Sequence, residues 1–320
     1  HAAALSFGIT GFAAMATQIA WTRALSLSIG STTYAFSLIV AVFILGLALG
    51  GAWGARAAPR LRDPLATLGR VLLLIGLLCL AVIILLGWAP LLFFWLIALA
   101  SQWGFGPVLS LEALGVALLL LAPTFVMGAI LPLTMRVTQA AASSPVGVGR
   151  LVGNLYAINT AGSILGSLLG GLLLLPTLQI QNTLKCMALL YAACGAVLVL
   201  LAPLGRRRWR PIATGLAALC VGLMAMPRWD PLRMSAGAYL LRQPEALQAA
   251  REGRWRDAFP RPHGDDVLYY REGRAATVAV FRNPLGLTLV IGGKPDATSY
   301  ADMSTQVGLT LIPQLLRGDT

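Results

Sequence analysis

Acidic side chains are scarce in this chain, which has 12 Asp and Glu residues against 24 Lys and Arg among 320 residues. Only two of the acids, Asp63 and Glu112, precede residue 228, and both stand at the edges of apolar runs. A bundle that binds a cationic solute at membrane depth needs an acidic partner there, because an unpaired intramembrane charge is costly. The shortage of acids therefore argues against the transport of cations by the first 227 residues.

Cysteine and histidine are also rare, with four and two copies. All four cysteines fall in apolar runs without the spacing of metal ligands, which predicts packed thiols and neither a disulfide framework nor a zinc site. His263, Asp265 and Asp266 stand close together, but they share a tight turn with Pro262 and Gly264, for which a loop is the better interpretation. No metal centre is predicted.

Charged residues make up only 11% of the chain, whereas 58% of the residues are hydrophobic and the mean hydropathy is +0.78. Soluble proteins carry about 25% charged residues, so the composition indicates a membrane protein whose partner is the lipid bilayer. The net charge of +12 does not predict nucleic-acid binding, because the arginines stand in short clusters between apolar runs, as the positive-inside rule expects. The clusters lie at Arg56–Arg70, Arg136–Arg150 and Arg206–Arg210.

The apolar runs predict a mainly α-helical fold, a polytopic transmembrane bundle of about seven spans in residues 1–227. Trp88-Ala89-Pro90 divides the long apolar stretch Val71–Ala100 into a span and an interfacial segment. With seven spans the three basic clusters share one side of the membrane. That side is then cytoplasmic together with the N-terminus, and everything after Met226 lies outside.

At the end of the first span, Trp21 is interpreted as an interface anchor and Arg23 as a snorkelling or capping residue. The predicted spans are Ala4–Ala20, Tyr34–Ala55, Val71–Gly87, Leu111–Met135, Gly149–Pro176, Thr183–Leu201 and Ile212–Met226.

The run GRLVGNLYAINTAGSILGSLLGGLLLLP, from Gly149 to Pro176, is the central helix of the predicted bundle. At 100° per residue its glycines form one seam, and leucines and isoleucines fill the opposite side. The second span repeats this spacing. A glycine at every fourth position lets a neighbouring helix approach to backbone distance, so we expect both helices to pack closely on a neighbour, each other included. The helix-packing residues are Gly46, Gly50, Gly54, Gly162, Gly166 and Gly170.

Polar side chains accompany the glycine seam of the central helix, among them Asn154, Tyr156 and Asn159. Two interpretations stay open. These groups support helix packing by hydrogen bonds across the contact, or they line a polar path or ligand site, since polar residues at membrane depth are costly and often functional.

Residues 228–320 have the composition of a soluble segment and divide into a linker with a surface helix, 228–265, and a β-rich end, 266–320. The linker contains a predicted helix at Pro244–Ala258. The hydrophobic period then changes to two, which predicts a β-meander followed by a helix at Asp302–Leu316. Three short strands bury too little surface to be stable alone, so this end is interpreted as an incomplete domain. The predicted strands are Val267–Arg271, Ala275–Arg282 and Leu287–Ile291.

The segment YYREGRAATVAVFRNPLGLTLVIGGKPDATSYADMSTQ, followed by LIPQLL, resembles the opening part of spermidine-synthase-like domains, the polyamine aminopropyltransferases. Upstream, WTRALSLSIGSTTYAFS, LPLTMR, NLYAINTAGSILGSLLGGLLLLP and WDPLRMSAGAY resemble the membrane region of bacterial proteins that fuse such a domain to a transporter-like transmembrane bundle. The resemblance covers nearly the whole chain. It implies a multi-pass protein of the bacterial inner membrane, in which the small sheet precedes a Rossmann-like domain that holds decarboxylated S-adenosylmethionine.

The resemblance also implies where substrate groups lie, and several positions differ in this chain. Laid on the sequence without gaps, the family's neutral Gln falls at Asp296, its Thr is kept as Thr298, and its Asp-Glu pair retains one acid, Asp302. Asp296, Tyr300 and Asp302 are then the side chains that can contact substrate. The family's glycine-rich nucleotide loop and catalytic Asp would follow Thr320, so no cofactor is expected to bind this fragment and no catalysis is expected from it.

Three functions remain open from the sequence. The first is a membrane-anchored aminopropyltransferase-like enzyme of this family, inactive as a fragment. The second is a transporter whose bundle moves a small polar or cationic solute, a polyamine included. The third is a membrane scaffold with a degenerate enzyme-like tail. The family resemblance favours the first, while the substrate and the oligomeric state are left open.

Overall fold

The computed structural model of the protein describes residues 2–140, 147–202, 210–240, 248, 252 and 266–317. These residues form a helical bundle followed by a small antiparallel sheet and one more helix. The arginines at 206–208, the turn around His263 and all but two residues of the predicted helix Pro244–Ala258 lie outside the described residues. The helices are α1 (Ala2–Ile29), α2 (Thr33–Ala57), α3 (Pro64–Leu86), α4 (Ala89–Ala100), α5 (Phe105–Gly128), α6 (Ile130–Ala140), α7 (Val148–Leu169), α8 (Leu175–Leu201), α9 (Arg210–Ala225), α10 (Pro231–Met234) and α11 (Met303–Arg317), with a π-helical turn at Gly170–Leu174 between α7 and α8.

The mainly α-helical fold with several membrane-length helices is confirmed, but the count of seven spans is not. Among the described residues, five segments are long and apolar enough to cross a membrane. The helix α9 has 16 residues and α4 has 12, whereas a span needs about 20. Two predicted spans also merge into a single segment. The five segments are Ala2–Ile29, Thr33–Arg60, Pro64–Leu86, Phe105–Ala140 and Gly149–Leu201.

The glycine seam of α7 lies against α1. A Cβ at Gly166 would lie 2.7 Å from the Cα of Phe12, and a Cβ at Gly170 would lie 3.0 Å from the Cα of Ala16. Carbon atoms in ordinary contact are about 3.5–4.0 Å apart, so the two backbones approach this closely only because glycine has no side chain. The order of these contacts also means that α7 runs parallel to α1.

The glycine seam of α2 has a different partner, the helix α5. Gly46 faces the side chain of Thr124, Gly50 faces the backbone of Phe125, and a Cβ at Gly54 would lie 3.0 Å from the Cα of Ala129. The two seams therefore do not pack on each other, which was one arrangement that the sequence allowed. The four-residue spacing identifies a close-packing face, but the choice of partner depends on the rest of the bundle.

The chain reverses direction at Gln179, within the stretch Leu175–Leu201. Gln179 has φ 67° and ψ 169°, and beyond it the hydroxyl of Tyr191 donates to the carbonyl of Thr10, 3.4 Å away, so α8 returns toward the start of α1. Backbone of this kind is nearly restricted to glycine, and in another residue it costs about 1–3 kcal/mol. Contacts outside the helix must therefore hold this turn.

The helix α1 continues to Ile29, well past the predicted end at Ala20. Trp21 is fully buried and makes an edge contact with Phe43 of α2, with 6.5 Å between ring centroids. The interpretation of Trp21 as an interface anchor is therefore wrong. The local sequence does not distinguish a tryptophan buried in a helix from one at the membrane surface. Trp21 is buried because α2 packs against it.

The sheet has four antiparallel strands in the order β1-β2-β3-β4, one more than the sequence predicted. The missed strand β4 carries Pro295 and Asp296, which strand patterns normally exclude, but proline is tolerated on an edge strand. Gly292 and Gly293, with φ of 60° and 87°, form the two-residue turn that joins β3 to β4. The strands are β1 (Asp266–Glu272), β2 (Thr277–Asn283), β3 (Gly286–Ile291) and β4 (Lys294–Thr298).

Candidate functional site

A groove in the bundle contains two of the three polar residues predicted to line a ligand site. It is a cavity of about 610 Å³ between α1, α2, α5, α6 and α7. Tyr156, Asn159 and Ser163 of α7 line it together with Thr10 of α1. Asn154 is exposed and is not part of this lining. The rest of the lining is largely apolar and includes Phe7, Met15, Phe43, Leu47, Met127 and Leu131.

Small residues and one helix break create the groove. A Cβ at Gly11 of α1 would lie 2.5 Å from Oδ1 of Asn159, so glycine leaves the space that this side chain occupies. On the other side, a Cβ at Gly128 would lie 2.9 Å from the backbone nitrogen of Gly51, which brings α5 against α2. Pro132 has no N–H to bond the carbonyl of Gly128, and the break between α5 and α6 lies at this point.

A second cavity, of about 390 Å³, continues the groove toward the end of α6. The two cavities share Ala55, Pro132 and Met135. Arg136 lines the second cavity, and its Nε is buried without a hydrogen-bond partner among the described residues. Arg136 is the one charged side chain among the described residues that line the two cavities, and no carboxylate lines either.

A second cluster of polar groups joins the sheet to the bundle, and its first member is Arg23 of α1. The guanidinium donates hydrogen bonds to the carbonyls of Gly273, Arg274 and Ala275 in the β1–β2 turn, with 2.9 Å to the carbonyl of Arg274. Arg23 therefore holds the β1–β2 turn of the sheet, and the snorkelling or capping interpretation does not describe it. One feature of the sequence could have indicated this role: Arg23 lies within a helix of membrane length, where a charged side chain needs a partner.

Glu272, at the end of β1, is the buried acid of this junction, with 5% of its surface exposed. Its carboxylate accepts a hydrogen bond from the N–H of Ile180 and another from the hydroxyl of Tyr270, 2.8 Å away. Burial raises the pKa of Glu272 above its ordinary value, while the two hydrogen bonds and the charge of Arg23 act in the opposite direction. Because Ile180 follows Gln179 directly, this carboxylate also holds the reversal of the chain.

Further contacts fix the segment between the bundle and the sheet. The side-chain nitrogen of Gln181 donates to the carbonyl of Pro227 at 2.8 Å, and its oxygen accepts from the N–H of Trp229 at 3.1 Å. The hydroxyl of Tyr239 donates to the carbonyl of Gly292, 3.1 Å away, in the β3–β4 turn. The first residues of the predicted linker are therefore a fixed connection between α8, α9 and the sheet.

The three residues predicted to contact substrate have separate environments in the structure. Tyr300 forms hydrogen bonds with Asn283, at 3.0 Å, and Thr288, at 3.2 Å, at one edge of the sheet. Asp296 is exposed on β4, and Asp302 is exposed directly before α11. Among the described residues no hydrogen bond or ion pair joins these three side chains.

Within the described ranges, no group of three or more His, Cys, Asp or Glu residues is arranged to hold a metal ion. The free cysteines are Cys79, Cys186, Cys194 and Cys220. No protein-family model, curated protein or solved structure matches the chain. Its function is therefore inferred from its own residues.

Proposed function

We propose that the chain is an integral membrane protein of the spermidine-synthase-like family, a membrane-anchored aminopropyltransferase-like enzyme with a transporter-like bundle. The observation that carries this proposal is an antiparallel meander followed by one helix, fixed to an apolar bundle by Arg23 and Glu272. The family resemblance implies the same order of elements. In such enzymes decarboxylated S-adenosylmethionine donates an aminopropyl group to a polyamine.

The surface of α11 supports the idea that the sheet and this helix begin a larger domain. No residue of α11 is buried, and Leu309 and Leu315 are 72% and 70% exposed. Apolar side chains that recur along one helix normally face another element. A Rossmann-like part, which the resemblance implies after the sheet, would cover this helix and would bring the donor-binding loop.

The chemistry of the proposed reaction limits what the described residues contribute. Aminopropyl transfer needs a group that orients or deprotonates the attacking amine, and general acid–base help of this kind increases the rate by about 10²–10⁴. Asp296 and Asp302 are exposed, and among the described residues neither carboxylate has a hydrogen-bond or ion-pair partner that would position it as a base. Asp296 either attracts a cationic polyamine or supports the loop before α11.

The first test of this proposal compares the parent with Asp296→Asn, both carrying a spermidine-synthase-type downstream half after Thr320. Isothermal titration calorimetry would measure the binding of a polyamine and of decarboxylated S-adenosylmethionine. If Asp296 attracts the amine, the substitution weakens polyamine binding by a factor of several while donor binding stays unchanged, because one exposed charge contributes about 0.2–1 kcal/mol. Unchanged polyamine binding assigns Asp296 a structural role. Failure of both ligands to bind contradicts the enzyme proposal and leaves the scaffold or the transporter.

We further propose that the protein lies in a bacterial inner membrane with residues 228–320 outside the cytoplasm. Arg56 and Arg136 stand at the same end of the bundle, because α2 and α5 run in parallel and Pro59 and Arg136 line one cavity. The sheet contacts the opposite end, where Gly293 meets Leu27. The two ends are about 35 Å apart along α2. With arginines on the cytoplasmic side, the sheet is then external.

The groove favours a second candidate function, the binding or transport of a small molecule by the bundle. Its volume of about 610 Å³ lies within the range of about 300–1,000 Å³ that ligand pockets have. An apolar wall with a few polar groups is also typical of such pockets. Because the described residues that line the groove include no acid, a polyamine is a poor fit for it.

A further inference from the structure

The charge of the groove selects the class of molecule that it binds. Arg136 supplies a positive charge at one end, and the described lining of the two connected cavities contains no carboxylate. Arg136 is half-buried and lines the second cavity, so its positive charge faces the space that a ligand would occupy. Guanidinium groups bind phosphate well because their planar fork donates two parallel hydrogen bonds to phosphate oxygens.

The shape of the groove selects an elongated molecule with an apolar body. From Arg136 the lining continues through Pro132 and Met135 to Tyr156, and from there to Ala14 and Phe43. Polar groups lie on the α7 side, where Tyr156, 51% exposed, stands at the rim. The part of the groove beyond them is walled by apolar side chains.

The geometry points to an anionic phospholipid of the surrounding membrane as the occupant of this groove. Its phosphate lies at Arg136, its ester oxygens lie near Tyr156 and Asn159, and one acyl chain extends toward Ala14. Basic pockets between membrane helices are known to bind anionic head groups in this way. This site does not depend on the proposed transferase function, because it uses none of the residues of the sheet.

The test measures lipid retention by the detergent-purified protein with native mass spectrometry. Phosphatidylglycerol and phosphatidylcholine with identical acyl chains serve as the two probes. We expect the parent to retain phosphatidylglycerol about tenfold better: both lipids carry the anionic phosphate, but the choline cation of phosphatidylcholine offsets the attraction between that phosphate and Arg136. Equal retention of the two lipids would overturn the proposal.

Substitutions then assign the preference to Arg136. Arg136→Gln is expected to remove the tenfold preference, and Arg136→Lys, which keeps the charge, is expected to retain most of it. The matched control is Arg56→Gln, because Arg56 is an exposed arginine at the same end of the bundle, bonded to its own helix at Ala52. A preference that survives Arg136→Gln, or that Arg56→Gln reduces equally, means lipid held by the general surface charge and contradicts the site.

A third variant tests the acyl-chain part of the groove and separates a lipid from a small anion. Ala14→Trp is expected to fill the groove and reduce phosphatidylglycerol retention about tenfold, with an unchanged circular dichroism spectrum. Inorganic phosphate at the same concentration is expected not to compete with the lipid, because it has no acyl chain to bury. Full retention by Ala14→Trp, or competition by inorganic phosphate, would contradict the lipid assignment.

Discussion

Replacing Gly166 by leucine is expected to disrupt the bundle more than any other single change considered for this protein. Gly166 is buried, and a Cβ at this position would lie 2.7 Å from the Cα of Phe12. The obstacle is the backbone of α1, which cannot rotate away as a flexible side chain can. Forcing extra atoms into a packed contact costs about 1–3 kcal/mol or more, so the variant should unfold at a clearly lower temperature in detergent.

The matched control is Leu168→Ala on the opposite side of the same helix. Leu168 is 51% exposed, and it lies among the leucines that face away from α1. Its truncation should lower the unfolding temperature much less than Gly166→Leu does. Equal unfolding temperatures for the two variants would mean that the α1–α7 contact is not the close-packed one described.

The second large effect is expected at the junction, where Glu272→Ala should loosen the sheet from the bundle. The substitution removes the acceptor of the Ile180 N–H and of the Tyr270 hydroxyl. Each buried donor left without a partner costs about 1–3 kcal/mol. Hydrogen exchange should therefore accelerate in β1 and at the start of α8, while the contact between α2 and α5 keeps its protection. Uniform acceleration through the whole bundle would contradict a local role for Glu272.

Glu272→Gln separates hydrogen bonding from charge at the same position. Burial raises the pKa of Glu272 above its ordinary value of 4.5, so the folded junction favours the neutral acid. Its contribution to stability is therefore fully present below pH 4.5 and is lost as the pH rises through the raised pKa. Glutamine keeps an acceptor oxygen and never ionises, so the variant should lose this pH dependence. A pH profile identical to that of the parent would mean that Glu272 is not the titrating group.

The helical part of the fold could be predicted because its signals are local. Apolar runs and glycines at every fourth residue depend only on neighbouring positions, and both patterns recur in α2 and α7. The partners of those glycine faces could not be predicted, because Gly50 meets α5 and Gly166 meets α1 through contacts between distant parts of the chain. The buried position of Trp21 was missed for the same reason.

The polar site was only half predictable. The sequence indicates Tyr156 and Asn159 because they accompany the glycine seam of the central helix, but Asn154 on the same helix lies outside the groove. Most other lining residues of the groove, and Arg136 in the adjoining cavity, belong to α1, α2, α5 and α6, so they could not be predicted from the central helix alone. The junction could not be predicted, because Arg23 and the carbonyls that it bonds are 250 to 252 residues apart in the sequence. The strand β4 was missed because Pro295 resembles a loop residue, although the Gly292-Gly293 pair before it is a hairpin signal.

The most direct test of the account measures on which side of the membrane each end of the bundle lies. A reporter that is active only in the cytoplasm would be fused after Arg208, beside a basic cluster, and in a second chain after Leu316, at the end of α11. The account predicts a signal from the fusion after Arg208 and none from the fusion after Leu316, because Arg56 and Arg136 lie at the end of the bundle opposite to the sheet and arginine clusters favour the cytoplasmic side. The reverse pattern, or a signal from both fusions, would contradict it.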